Sequence, residues 1–309
     1  MIPQVSILIV GFRSRAYIAP CLEGVRRATS GTNHEVLFVD CSDDGSAGFV
    51  EERFPETRVL PFQGNLGFAR GNNLLASHAR GEFLLLLNPD TVPTADEITR
   101  LLEFARAQPR AGAWGGRCIL PSGAPDHGSH QPLPTIPRLA LMAVGLGRLR
   151  NDALPLDARK PQRVPVISGA FLLVRAETWR TLGGFDDRFV LYSEEVDLCR
   201  RIADLGFELW ADPRIAMVHD AGSGDPYSPY RRTLVLKGVA TYLRKHHGPM
   251  LANLGCAILA FEELLRAACS PLIALRNPDH ARNLRRRCWP QVRNWRAWWA
   301  GWKPGDTLG

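Results

Sequence analysis

The stretch Phe83-Leu84-Leu85-Leu86-Leu87-Asn88-Pro89-Asp90-Thr91 decides the fold. Five consecutive large apolar residues read as a strand buried on both faces, as in a parallel sheet covered by helices. Pro89 has no N–H for a ladder and ends the strand, which delivers Asp90 to its carboxyl end. Ligands of open α/β sheets bind at that end. A carboxylate there suits a divalent cation bridging a diphosphate, because hard cations take oxygen ligands. A turn aspartate after a core strand fits Asp90 equally well.

The flanking chain alternates strand and helix. Val5-Ser6-Ile7-Leu8-Ile9-Val10 reads as a first strand, too short and without the basic flank of a secretory signal. Ala16 to Ala28 is helix-compatible, and Glu35-Val36-Leu37-Phe38-Val39 forms a second strand ending at Asp40. A short strand near Arg58-Val59-Leu60 and a helix from Gly67 to His78 come next. Thr94-Ala95-Asp96-Glu97 reads as a capping box, with Ile98, Leu101, Leu102 and Ala105 as the buried face of its helix. From Ala111 to Arg163 the pattern dissolves into Gly, Pro and short apolar pieces, a long connection or acceptor-side loop. Ser168 to Val174 restores a strand, and Val196 to Leu205 a helix closed by Gly206. The order predicts an α/β fold with a mostly parallel central sheet and helices on both faces.

With 309 residues, 45% hydrophobic and 22% charged, the chain can bury a sizeable core. Seven dispersed cysteines without metal spacing suit a reducing cytosol better than a disulfide framework. The net charge of +7 is concentrated late, where Arg276, Arg282, Arg285, Arg286, Arg287, Arg293, Arg296 and Lys303 outweigh Asp279 and Asp306. Trp289, Trp295, Trp298, Trp299 and Trp302 are interleaved with those cations, a mixture that suits a lipid headgroup interface. Upstream, Leu254, Ile258, Phe261, Leu265 and Ala268 recur at helical spacing, with Glu262, Glu263 and Arg266 elsewhere on the wheel. The charges and Pro271 argue against a transmembrane span, and the stripe fits an interfacial helix or packing against the protein's own core. The tail tips the balance towards peripheral membrane contact and away from nucleic acid.

Four further groups carry candidate chemistry. Asp40, in Asp40-Cys41-Ser42-Asp43-Asp44-Gly45, can accept from a ribose hydroxyl or a pyrimidine N–H, and an Asx-type turn fits it too. Asn65, Gly67, Arg70 and Asn73, in Asn65-Leu66-Gly67-Phe68-Ala69-Arg70-Gly71-Asn72-Asn73, can hold a nucleotide at a helix start. Glu194, Glu195 and Asp197 open a helix, where the macrodipole favours acids with no catalytic purpose, but three carboxylates in four positions is a density surface design avoids, and one of them in a dry pocket can serve as a base. His219, after Ile215-Ala216-Met217-Val218, reads as a structural histidine unless it pairs with Asp90. No Walker loop or GxGxxG is present, so neither mononucleotide hydrolysis nor dinucleotide binding is signalled.

In order, Val5–Val10, Asn65–Asn73, Leu86-Leu87-Asn88-Pro89-Asp90, Ile167-Ser168-Gly169-Ala170, Gly183-Gly184-Phe185-Asp186-Asp187-Arg188-Phe189, Glu194–Cys199 and Val218-His219 resemble family 2 glycosyltransferases, most closely their bacterial rhamnosyltransferase-like branch. The resemblance covers roughly residues 5 to 225. It implies a GT-A fold, with a helical, basic C-terminal extension beyond it. Residues 1–110 would form the nucleotide-sugar half, 111–225 the acceptor and catalytic half, and 226–309 a helical, basic, Trp-rich region that touches the membrane. It further implies an inverting transfer of a sugar, L-rhamnose from dTDP-rhamnose or another sugar from a UDP donor, assisted by Mg2+ or Mn2+. The acceptor would be lipid-linked or a polysaccharide, at the cytoplasmic membrane face.

By position in the motifs, Asp40 would contact base or ribose, Asn88 would accompany the donor, and Asp90 would reach metal and diphosphate. Glu195, with Glu194 second, would deprotonate the acceptor, and His219 would stand near the diphosphate as a metal ligand. Two departures from the family pattern stand out. Glu195 replaces the usual Asp, and the loop after Asp40 is one residue short, with Cys41 where Asn is common. A catalytically silent nucleotide-binding scaffold and a sugar-phosphate nucleotidyltransferase are the competing functions.

Overall fold

The computed structural model describes residues 2–126, 128–150, 155, 157–220, 225, 227–303 and 305–308. A single sheet organises them. Its strands are β1 (Val5–Gly11), β2 (His34–Asp40), β3 (Thr57–Leu60), β4 (Phe83–Leu87), β5 (Thr91–Val92), β6 (Ala111–Ile119), β7 (Gln162–Arg163), β8 (Phe171–Arg175) and β9 (Glu208–His219). Their spatial order is β3-β2-β1-β4-β8-β6-β9-β5, with β7 also on β9. The expected mostly parallel sheet holds in strand direction: β1, β2, β3, β4, β6 and β9 run one way, while β8 and the short β5 and β7 oppose them.

The apolar run of β4 lies at the middle of this sheet, between β1 and β8. Phe83, Leu85 and Leu87 join Ile7 and Ile9 on one face, under α1 (Ile18–Ala28) and α4 (Glu97–Arg106). Leu84 and Leu86 join Leu8 and Val10 on the other, under α3 (Gly67–His78), α6 (Ala176–Leu182) and α7 (Glu194–Asp204). Alternate side chains on opposite faces, both covered, explain why the run shows no polar alternation. The remaining helix of this half, α2 (Ser46–Arg53), follows β2, and α5 (Ile136–Ala143) lies in the long connection.

Two local expectations are refined. The strand expected from Ser168 begins at Phe171, because Ser168 to Ala170 form a turn in which the Ser168 carbonyl accepts from Phe171 N–H. At α4 only half a capping box forms: Glu97 accepts from the N–H groups of Thr94 and Ala95, but the Thr94 hydroxyl donates to the same carboxylate instead of accepting from the helix.

Four helices complete the chain: α8 (Pro229–His246), α9 (Pro249–Ala274), α10 (Pro278–Arg293) and α11 (Arg296–Trp299). α8 belongs to the main body: Tyr242 sits in the same core as Leu8 and Leu86. Lys245 binds both Asp186 and Asp197, at 2.6 and 2.7 Å. Residue 226, the expected start of the third region, lies outside the described residues.

The stripe expected on α9 divides: Ile258 packs partly against the core and Leu265 is half-buried, while the rest faces outward. Leu254 and Phe261 are about half exposed, while the buried face carries Ala252, Gly255, Cys256, Leu259, Glu262, Glu263 and Ala267. Small residues let α8 come close, and the buried acids are neutralised by partners, Glu263 by Arg232 of α8 and Glu262 by Arg266 at 2.7 Å. Of the five late tryptophans, Trp298 and Trp302 are core residues, and Trp289 and Trp295 are exposed. No helix among the described residues is long and apolar enough to cross a membrane. All seven cysteines are free.

Candidate active site

The carboxyl ends of β1, β2 and β4 open into a cavity of about 470 Å³. Val10 at the end of β1 and Phe12 and Arg13 after it line the cavity, with Cys41 after β2, Asn65, Gly67 and Phe68 at the start of α3, and Asn88, Pro89 and Asp90 after β4. Leu191, Tyr230, Leu234 and Leu308 close it from the far side. The parallel strands present their carboxyl ends together, so the fold itself gathers these loops.

Asp90 and His219 meet at this mouth. Thr91 pairs with His219 across β5 and β9, and the Asp90 carbonyl accepts from Asp220 N–H at 2.9 Å. That pairing sets His219 Nε2 3.4 Å from Asp90 Oδ1 and 3.5 Å from Asn88 Nδ2. The pairing with Asp90 on which the metal-ligand reading of His219 depends is present. Its other ring nitrogen, Nδ1, donates to Asp126 Oδ2 at 3.0 Å. Burial opposes the imidazolium, but the bonds to Asp126 and Asp90 outweigh it and raise the pKa to about 9.

Asp40 is buried at the end of β2, where Ser42 donates to its Oδ1 from both N–H and hydroxyl at 2.9 Å. Burial raises its pKa, and those bonds from Ser42 work against the rise. The Asx turn is formed, with Asp40 at the carboxyl end of β2 and the next residue, Cys41, in the cavity wall. The loop after β1 is tied down alongside, with Arg13 N–H donating to Ser42 at 2.7 Å and Arg15 N–H to Asp44 at 3.2 Å.

The polar start of α3 splits into two groups. Asn65 and Gly67 reach the cavity wall; Gly67 has φ +72°, and a Cβ there would sit 2.5 Å from the Val190 carbonyl. Arg70 and Asn73 turn away from it. Asn73 brackets Phe185, accepting from its N–H and donating to its carbonyl, each at 2.9 Å. Arg70 donates to the carbonyls of Asp187 and Asp306 at 3.3 Å. Both clamp the Gly184–Asp187 loop and the C-terminal segment around the cavity. Asn65 Nδ2 likewise donates to the Leu308 carbonyl at 3.4 Å.

Glu194 and Glu195 open α7, three and four residues beyond Leu191, and are not themselves part of the cavity wall. Tyr192 and Ser193 before them have φ +68° and +71°, a strained conformation for residues with a side chain. Glu194 Oε2 and Glu195 Oε2 are buried without a hydrogen-bond partner among the described residues. Burial, then the charge of Glu195, raises Glu194 well above the usual carboxylate range; burial raises Glu195 too, against the backbone N–H groups of its own turn. Asp197 does something else. Fully buried, it accepts from Arg201 at 2.7 Å and from His246 at 2.8 Å, and its bonds to these and to Lys245 hold it below the usual range despite burial. It anchors α7 to α8.

Sequence reasoning missed Asp126, Tyr230, Leu234 and Leu308. Asp126 lies in the stretch where periodicity fails, and an Asp before a Gly-rich turn carries no signal of its partner. The other three are ordinary apolar or aromatic residues far along the chain, and only the fold brings them to the cavity. Among the described residues no group of three or more His, Cys, Asp or Glu side chains converges as a metal cage. Asp90 and His219 place one oxygen and one nitrogen donor 3.4 Å apart, a pair whose chemistry fits a divalent cation such as Mn2+ and which would be its protein ligands here.

A family model described as Glycosyl transferase family 2 matches residues 6–177. The N-acetylglucosaminyl-diphospho-decaprenol L-rhamnosyltransferase of Mycobacterium tuberculosis is 28% identical over 259 residues, 78% of this chain and 80% of that protein. Rhamnosyltransferase WbbL of Escherichia coli strain K12 is 23% identical over 228 residues, 71% of this chain and 84% of that one. The mannosyltransferase PcManGT from Pyrobaculum calidifontis, solved with GDP-Man and Mn2+, superposes with a TM-score of 0.62. It is 16% identical, with 95% of this chain and 88% of that one covered, so the likeness speaks for the fold, which is GT-A.

Proposed function

The chain belongs to glycosyltransferase family 2, a transferase of sugars in cell-surface glycan synthesis, and from that premise we propose a metal-dependent, inverting rhamnosyltransferase that uses dTDP-rhamnose. The observation that carries this reading is the meeting of His219 with Asp90, which lines the cavity together with Asn88 and Cys41 of the loop after Asp40. The M. tuberculosis and E. coli relatives, both rhamnosyltransferases by name, support the choice of sugar over a UDP-linked alternative.

In this reading Asp40 and the Ser42 turn receive the nucleoside, and Asn65 and the Gly67 backbone accommodate the donor. Asp90 and His219 hold Mn2+ or Mg2+, which when bound offsets the negative charge that grows on the departing diphosphate. Glu195 takes the acceptor proton, with Glu194 as the alternate. The raised pKa makes each ionised carboxylate of this pair a stronger base than an ordinary one, and proton transfer of this kind contributes roughly 10²–10⁴-fold, about 3–5 kcal/mol of barrier. A single displacement inverts the anomeric centre. Arg70, Asn73, Asp187 and the Lys245 bridge act as the frame that positions these groups.

Residues 1–110 would serve the donor and 111–225 the acceptor and base. Residues 226–309 would rest on the cytoplasmic face of the membrane near a lipid-linked acceptor. The support for that last part lies on the surface: Leu251, Leu254, Phe261 and Leu264 face outward from α9. Phe261, Leu264 and Trp295 share an apolar cleft. Arg296 stacks on Trp295 at 5.5 Å and Arg293 on Trp289 at 5.3 Å. Apolar side chains ringed by cations are what an anionic interface receives.

A panel of nucleotide sugars incubated with Mn2+ and a prenyl-diphosphate acceptor tests the reading. Release of dTDP from dTDP-rhamnose with product of inverted anomeric configuration is expected. Nucleotide bound without turnover, or release of pyrophosphate, would overturn it in favour of a scaffold or a nucleotidyltransferase.

A further inference from the structure

We propose that Asp126 is a positioning residue that fixes the ring of His219 so that Nε2, and not Nδ1, faces Asp90 and would be the nitrogen offered to a cation bound there. The inference rests on the metal reading given above and adds a residue to it.

The backbone builds the arrangement. β6 and β9 run parallel and end in register, with Ile119 opposite Val218 one residue before His219. The chain then turns back through Gly123, at φ +82°, with Leu120 N–H donating to the Ala124 carbonyl at 2.8 Å. Ile119 bridges Pro125, and Asp126 N–H donates to the Cys118 carbonyl at 2.9 Å. The turn therefore folds Asp126 back beside the end of its own strand, next to the end of β9. Its two oxygens take different donors: Oδ1 accepts from Gly128 N–H at 2.8 Å, and Oδ2 from His219 Nδ1 at 3.0 Å. Both side chains are largely buried, at 14% and 11% exposure, so water competes poorly for either ring nitrogen.

An imidazole can bind a cation through whichever nitrogen lacks a proton, and the partner of the other nitrogen selects it. A carboxylate on Nδ1 accepts and cannot donate, which keeps a proton there, so the proton that a binding cation would displace is the one on Nε2, on the Asp90 side. Outer partners of this kind typically change metal affinity about 10–100-fold when removed.

The test is Mn2+ binding to the full chain in the presence of dTDP, followed by the electron paramagnetic resonance signal of free Mn2+, with no sugar transfer required. Asp126→Asn, which can turn a donor towards Nδ1, is expected to weaken Mn2+ about 10–100-fold, and Asp126→Glu to recover part of the loss. His219→Ala should also weaken binding, and Asp126→Asn in that background should add less than twofold, because its only route is the ring. Thermal unfolding within a few degrees of the parent shows that the variants fold. Parental Mn2+ affinity in Asp126→Asn, or an undiminished loss on top of His219→Ala, would overturn the inference while leaving the metal reading intact. No Mn2+ binding by the parent, or none lost on His219→Ala, would overturn the metal reading itself.

Discussion

Gly238 in α8 gives the sharpest structural prediction. By helix propensity alone Gly238→Ala should stabilise, by about 1 kcal/mol. The structure reverses that expectation. A Cβ at this position would lie 2.3 Å from the Tyr192 carbonyl oxygen, about 1 Å short of the 3.4 Å at which ordinary contact begins, and 2.9 Å from its carbon. Backbone meets backbone, so α8 or the Tyr192–Ser193 turn must shift by about that amount. Overpacking of this kind typically costs 1–3 kcal/mol, so roughly 0–2 kcal/mol of stability is lost after the helix gain. The shift passes directly to Glu194 and Glu195, and a displacement of about 1 Å can cost on the order of a hundredfold in rate. The assay is initial rate of nucleoside diphosphate release with saturating donor, alongside Mn2+-dependent dTDP affinity and thermal unfolding. Turnover should fall about a hundredfold with nucleotide affinity unchanged. A variant with raised Tm and parental turnover would refute the claim that α8 sets the geometry of the acidic turn.

Glu195→Gln should lose at least about a hundredfold in turnover while keeping donor affinity, and a larger loss in Glu194→Gln, measured the same way, would exchange their roles. Because both pKa values are raised, the rate should fall as pH drops at a higher pH than an ordinary carboxylate would give, and that acidic limb should vanish in the variant that removes the base. The same shift has a stability consequence: the folded state holds the Glu194 proton longer than the unfolded chain, so its contribution is complete below pH 4.5 and is lost as pH rises. Glu194→Gln should therefore raise Tm at pH 8 and leave it unchanged at pH 4. Asp197→Ala should destabilise by about 2–4 kcal/mol in denaturant unfolding, because it removes the buried carboxylate shared by Lys245, Arg201 and His246, of which Lys245 keeps Asp186 and Arg201 keeps two carbonyls; a change under 1 kcal/mol would remove its anchoring role. For the membrane face, Phe261→Glu with Leu264→Glu should abolish co-sedimentation with anionic vesicles, and equal partition of both forms would reject the contact. Point changes suit this test better than removal of residues 276–309, since Trp298 and Trp302 are part of the core.

The strand and helix order was legible because its physics is local. The β4 run, the Gly67–His78 helix and the apolar face of α4 each carry their own period. So was the pairing of Asp90 with His219, conditionally: Pro89 and the end of β9 place both residues at strand termini, but only the β5–β9 pairing brings them together. For Arg70 and Asn73 the composition did not show their partners. Polar residues at a helix start offer donors to a nucleotide, yet here they hold a neighbouring loop, and sequence does not distinguish the two. The orientation of α9 was illegible for another reason. Its apolar stripe marks one face and its acids another, and burial went to the acids because Arg232 and Arg266 neutralise them. Asp126 was hidden because a turn, not a period, carries it to its partner.

The central claim is that Asp90, delivered by the β4 strand, works with a divalent cation on the donor diphosphate. Turnover of dTDP-rhamnose by Asp90→Ala with Mn2+ present and absent tests it most directly. The account predicts that the parent requires the cation and that the variant, equally folded by circular dichroism and thermal unfolding, loses metal-dependent transfer. Parental turnover in the variant would contradict it.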